Sequence, residues 1–110
     1  MKLYVKDNQE LTDEYYQMKE YRYDILLELN GKYYQLNFIT PFLLSQEIES
    51  DDFYYMKNLF PVKNVSLKNI IEEIQKNIKY DLGSDLVPEK DVNLNEWICI
   101  FNWKYLNTIF

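Results

Sequence analysis

Tyr23-Asp24-Ile25-Leu26-Leu27-Glu28-Leu29-Asn30-Gly31-Lys32-Tyr33-Tyr34-Gln35-Leu36-Asn37-Phe38-Ile39 is the stretch that decides the fold. Asn30-Gly31 at its centre best tolerates the positive φ angles of a type I′ turn, the turn whose twist suits a two-residue hairpin. On one side Tyr23, Ile25, Leu27 and Leu29 alternate with Asp24, Leu26 and Glu28; on the other Tyr34, Leu36 and Phe38 alternate with Tyr33, Gln35 and Asn37. A two-residue loop sets the register. It pairs Leu27 with Tyr34, Ile25 with Leu36 and Tyr23 with Phe38 on an apolar face. Asp24 then faces Asn37, Leu26 faces Gln35 and Glu28 faces Tyr33 on a mostly wet one. Turn chemistry and binary pattern agree, so a hairpin over 23–39 is expected.

Outward from the hairpin the signals are shorter. Lys2 to Lys6 alternates, with Leu3 and Val5 on one face, and predicts a first strand. Residues 7–20 are polar and read as an irregular loop with a helical turn around Asp13 to Met18. After the hairpin, Thr40 is a good N-cap and Pro41 suits the first helical position, so a two-turn helix over Phe42 to Ile48 follows. Phe53 to Phe60 reads as a further strand closed by Pro61. Ser66 caps a helix whose Leu67, Ile70, Ile71, Ile74 and Ile78 fall at helical spacing. Asp81 to Asn93, with Gly83, Ser84 and Pro88, predicts a long loop. In the last stretch, Leu94 to Phe110, Leu94, Trp97, Ile98, Phe101 and Tyr105 fall at helical spacing, while Trp97 to Phe101 also forms a continuous apolar run. Helix is the reading adopted for it. The sum is an α+β domain over residues 1–110: an antiparallel sheet of about four strands, hairpin 23–39 included, with two or three helices packed on one face.

Composition narrows the function classes. The chain has 110 residues, enough for one core. It is rich in Tyr, Asn, Lys and Ile, with 11 tyrosines, no alanine and a single arginine, Arg22. Codons for the enriched types are AT-rich, so the source is expected to be an AT-rich bacterial or phage genome. No run approaches a membrane span and no signal-peptide pattern opens the chain, which predicts a cytoplasmic protein. Cys99 is the sole cysteine and sits between Ile98 and Ile100, where a buried, inert thiol is expected.

Eighteen acids against twelve bases give a net charge of -6. Such a field attracts basic partners and repels nucleic acid and anionic membranes. The acids cluster. Asp7, Glu10, Asp13 and Glu14 form one group, Glu47, Glu49, Asp51 and Asp52 a second, and Asp81, Asp85, Glu89 and Asp91 a third opposed by Lys90 alone.

Reactive chemistry is scarce. The absence of histidine removes the commonest general base and transition-metal ligand. One cysteine cannot make a CxxC pair, and a Cys99 nucleophile would have no histidine to activate it. Gly31 and Gly83 lie too far apart for a phosphate loop, and Ser45, Ser50, Ser66 and Ser84 have no GxSxG setting. Asp81-Leu82-Gly83-Ser84-Asp85 lacks the spacing and closing glutamate of a calcium loop. No enzymatic activity, cofactor, metal, nucleic-acid or membrane partner is expected. What remains is recognition by surface, with carboxylates beside Tyr54, Tyr55 and Tyr80 suited to gripping a basic protein.

From Tyr23 onward the chain resembles the bacterial polymorphic-toxin immunity proteins of the immunity protein 8 family. The resemblance rests on the hairpin, Thr40-Pro41 followed by Leu43-Leu44, a strand, the Ile-rich helix and an aromatic end with Trp97, Phe101, Trp103 and Tyr105. Where the family has an acid after the late aromatic, this chain has Lys104. The resemblance implies a protein that binds and neutralises the toxic domain of a toxin encoded beside it, often a nuclease with a basic cleft. Composition alone also admits a phage or mobile-element inhibitor that mimics DNA charge, or a non-enzymatic homo-oligomeric binding protein. The expected contact surface is Glu47, Glu49, Asp51 and Asp52 with Tyr54 and Tyr55. The second choice is Asp81, Asp85, Glu89 and Asp91.

Overall fold

A computed structural model describes residues 1–8, 12–51, 56–77 and 86–103. Among the described residues five strands form one sheet: β1 (Lys2–Lys6), β2 (Tyr21–Leu29), β3 (Lys32–Ile39), β4 (Leu59–Pro61) and β5 (Trp97–Asn102). Their order is β4-β3-β2-β1-β5, antiparallel throughout except for the parallel β3–β4 pair. Three α-helices lie among the described residues, α1 (Asp13–Lys19), α2 (Pro41–Asp51) and α3 (Leu67–Asn77). The fold is therefore α+β, with one strand more than expected.

The hairpin takes the register its turn dictates, Leu27 opposite Tyr34, Ile25 opposite Leu36, Leu26 opposite Gln35 and Glu28 opposite Tyr33. Asn30 at φ 53 and Gly31 at φ 78 supply the left-handed turn. The register then breaks. Tyr23 and Asp24 together oppose Asn37, so the expected pairs Tyr23–Phe38 and Asp24–Asn37 do not form. A bulge inverts the alternation and sets Arg22 opposite Phe38. Tyr23 is left 43% exposed, while Arg22 is buried.

One sheet face carries Leu3, Ile25, Leu27, Tyr34, Leu36 and Phe38, packed with Tyr16 of α1, Ile70 and Ile74 of α3, Val62, Val65 and Trp103. Each Leu or Ile side chain fully buried here contributes about 1.5–3 kcal/mol relative to exposure. The other face is less wet than the alternation predicts, because Tyr4, Leu26 and Ile39 are buried there outside that cluster.

Four further expectations are corrected. Residues Asp13–Lys19 form a full helix rather than a turn within a loop. Thr12 accepts from the Tyr15 N–H, and Glu20 closes the helix in the left-handed region at φ 59. Of the strand expected over 53–60, the described part is strand only from Leu59, because Lys57 and Asn58 turn, with Asn58 at φ 53. Pro61 ends inside the strand, at a sheet edge where its missing N–H costs no ladder bond. Residues 53–55 lie outside the described set. Over its described part, residues 94–103, the C-terminal segment is not an α-helix: a single 3-10 turn at Leu94–Glu96 leads into β5, which pairs with β1, and residues 104–110 lie outside the described set. The apolar run outweighed the helical spacing because β1 offers it a ladder, and Asn102 and Lys2 close that pairing. Cys99 is exposed on β5 rather than buried.

Candidate functional site

Thr40 joins two corners of the molecule. Its Oγ1 accepts from the Leu43 N–H at 3.3 Å, capping α2, and donates to the Glu20 carboxylate at 3.1 Å. Its own N–H donates to the Glu20 carbonyl at 3.1 Å. The start of α2 is thereby tied to the end of α1. Between these helices, over the outer ends of β2 and β3, lies a cleft of about 470 Å³.

Its walls come from four elements. Tyr15, Tyr16 and Lys19 line it from α1, Tyr21 and Tyr23 from β2, Ile39 from β3, and Leu43 and Glu47 from α2, with Met56 at the rim. The rings are mutually braced. Tyr15 and Tyr16 meet edge-on at 5.5 Å, Tyr16 and Tyr23 edge-on at 5.7 Å, and Tyr21 lies tilted against Tyr23 at 5.7 Å. The Tyr21 hydroxyl is held by Asn37 Oδ1 at 3.1 Å and Met56 Sδ at 2.8 Å.

Behind the cleft stands Arg22, 2% exposed. Its Nε donates to Asp24 Oδ1 at 2.6 Å and its Nη2 to Asp24 Oδ2 at 3.2 Å, a bidentate pairing. Nη1 donates to Asp13 of α1 and, at 3.1 Å, to the Val65 carbonyl. The guanidinium lies 4.6 Å from the centre of the Tyr16 ring. Asp13 also accepts from the Leu67 N–H at 3.0 Å, placing a carboxylate at the positive end of α3. Burial alone would lower the Arg22 pKa, but Asp24 and then Asp13 outweigh it and hold the pKa above its ordinary value. One side chain thus locks α1, β2 and α3 and fixes the inner tyrosine.

Burial, and then the Asp24 charge, push the Tyr16 hydroxyl up to about 12. Tyr4, on the other face of the sheet, is likewise raised to about 12, first by burial and then by donating to Glu28 at 3.1 Å. Both are neutral phenols at physiological pH.

A second cavity, about 340 Å³, lies between α3 and the sheet and is lined by Leu27, Leu36, Phe38, Phe60, Val62 and Ile74 among others. Its two polar rim groups are engaged elsewhere: the Glu73 carboxylate pairs with Lys76 at 3.5 Å, and the Asn77 amide donates to the Glu73 carbonyl at 2.7 Å. It offers apolar contact without orienting chemistry.

Comparison with known proteins returns nothing to compare. No protein-family model, curated protein or solved structure matches the chain.

Of the residues singled out as a contact surface, Glu47 lines the tyrosine cleft and Glu49 is exposed on the same helix, which Asp51 ends. Asp52, Tyr54 and Tyr55 lie outside the described residues, as do Asp81 and Asp85 of the second choice. Glu89 is engaged in the fold: its carboxylate pairs with Lys57 at 2.7 Å and its N–H donates to the Tyr33 carbonyl at 2.7 Å. Asp91 is exposed. Sequence reasoning passed over Tyr15, Tyr16, Tyr21 and Tyr23. Their signal was there to find: four tyrosines fall within nine residues, between two acids at Asp13 and Glu14 and the apolar half of the hairpin.

Proposed function

We propose that this chain is a binding protein without catalytic activity, and that it acts as an immunity protein, gripping and neutralising the basic domain of a toxin encoded beside it. The observation that carries this reading is the tyrosine-walled cleft with Glu47 on its wall, set in a chain of net charge -6. Tyrosine is enriched where proteins meet because a rigid ring gives much contact area at little conformational cost. Clustered carboxylates raise the encounter rate with a positively charged surface. The cleft is shallow and aromatic, and none of its lining side chains is a nucleophile paired with a base. The resemblance to the immunity protein 8 family supplies the specific partner class.

Co-expression tests it. The purified chain should co-elute with the product of the adjacent toxin gene, and cells carrying the chain should survive expression of that toxin. Loss of both results refutes the immunity reading.

A further inference from the structure

We infer that the tyrosine cleft is a cage for an arginine side chain presented by a protein partner, with Glu47 as the counter-charge. This deepens the binding-protein reading and rests on it. Three observations point to a guanidinium. First, the partly exposed Tyr15, Tyr21 and Tyr23 line the cleft together, braced by the buried Tyr16, which meets Tyr15 and Tyr23 edge-on. An exposed tyrosine ring has an electron-rich face that attracts a cation. Second, the lining already attracts cations from its own chain: Lys19 sits 5.8 Å from the Tyr15 ring centre and Arg22 sits 4.6 Å from that of Tyr16. Tyr23, 43% exposed, holds no such cation among the described residues. Third, Glu47 makes no hydrogen bond or ion pair among the described residues, although it lines the cleft at intermediate exposure.

Arginine fits these features better than lysine. Its guanidinium is planar, stacks on a ring and presents a fork to a carboxylate, whereas an ammonium is a strongly hydrated point charge. The volume of about 470 Å³ also exceeds what one side chain fills, so the flanking backbone of the partner enters as well. Leu43, Ile39 and Met56 meet the aliphatic stem, and the tyrosines and Glu47 meet the head.

The test uses the whole chain, isotope-labelled, titrated with N-acetyl-arginine amide and separately with N-acetyl-citrulline amide, which keeps the shape and loses the charge. The ring resonances of Tyr15, Tyr21 and Tyr23 should shift saturably with the arginine probe and little with citrulline. Glu47→Gln should weaken the arginine probe about tenfold, equivalent to about 1.4 kcal/mol. Tyr23→Leu should weaken it roughly two- to fivefold. Glu47 lies on a helix surface and Tyr23 is partly exposed, so both variants keep the fold, and Tyr23→Phe, which retains the ring face, should bind as the parent does. No saturable shift, equal response to citrulline, or an unaffected Glu47→Gln overturns the inference. Toxin protection is scored in parallel. A parent that binds arginine amide but fails to protect cells refutes the immunity reading alone. A Glu47→Gln variant that loses the probe yet protects fully refutes the cage as the contact point and leaves that reading standing.

Discussion

Arg22 is the only arginine in a chain with eleven lysines, and it is spent on the interior. A lysine would bring the charge but not the planar fork that meets Asp24 with two nitrogens while a third reaches Asp13 and Val65. Removing it leaves Asp24, 6% exposed, as an unpaired buried carboxylate. Arg22→Met is therefore expected to cost about 3–5 kcal/mol in urea-unfolding experiments. Arg22→Met combined with Asp24→Leu should recover a large part of that, because an apolar pair needs no charge compensation. If the double variant is as unstable as the single one, the energy lies in the links to Asp13 and Val65 rather than in the ion pair. The two raised phenols make a separate prediction. Tyr4 and Tyr16 sit near 12 in the folded state against an ordinary value of 10.0. From about pH 10 upward the unfolded chain releases these protons while the folded one retains them, so stability falls as pH rises toward 12. The contribution is fully present below pH 10 and is lost as pH rises through 12. Spectroscopic titration of the folded chain should show two late-ionising tyrosines, and replacing both with Phe should flatten the alkaline limb of the stability curve.

At the scale of elements, the outer edge of β3 is closed by three separate devices. Its far end is paired by β4, whose neighbour Val62 donates to the Ile39 carbonyl. Its near end is met by Glu89 at Tyr33. The gap between them is filled by Asn58, whose amide donates to the carbonyls of Gln35 and Val87 while its oxygen accepts from the Val87 N–H. Asn58 also holds a left-handed φ of 53. Asn58→Ala removes the three bonds and strains the backbone, and should cost about 2–4 kcal/mol. Asn58→Gly relieves the strain alone, so it should recover about 1 kcal/mol and leave the rest lost. Hydrogen exchange at Val87 and Glu89 should accelerate in both. A side chain acting as a strand is invisible to periodicity, so the pattern before Pro61 gives no sign of the turn at Lys57 and Asn58. The hairpin was legible because Asn30-Gly31 and the alternation are local signals. Its bulge was not, because Arg22 enters the core only when Asp13, Asp24 and Val65 converge from other elements. β5 was ambiguous for a related reason: Trp97, Ile98 and Phe101 satisfy either period, and only the open ladder of β1 decides between them. The cleft was half legible. Glu47 stood out as an acid, whereas the tyrosines look like codon bias until α1 and β2 bring them together beside it.

Over the whole molecule, charge and contact are divided between long and short range. The net charge of -6 acts across the solvent, while the cleft acts only at contact. The screening length is about 30 Å at 0.01 M salt and about 10 Å at 0.1 M, so only the first of these reaches a partner before collision at low salt. Association and dissociation should therefore respond differently to the same perturbations. Raising salt from 0.01 M to 0.1 M should slow association with a basic protein partner by roughly tenfold or more, and change dissociation far less. Glu47→Gln removes one charge of the field but the whole counter-charge of the cleft, so it should speed dissociation and barely alter association. Glu49→Gln, equally charged but exposed on the outer side of α2, should do the reverse: a small loss in association rate and none in residence time. Rapid-mixing kinetics on the parent and the two variants separate these outcomes. Identical effects of Glu47 and Glu49 on both rates would mean that charge alone governs binding and that the tyrosine walls take no part in it.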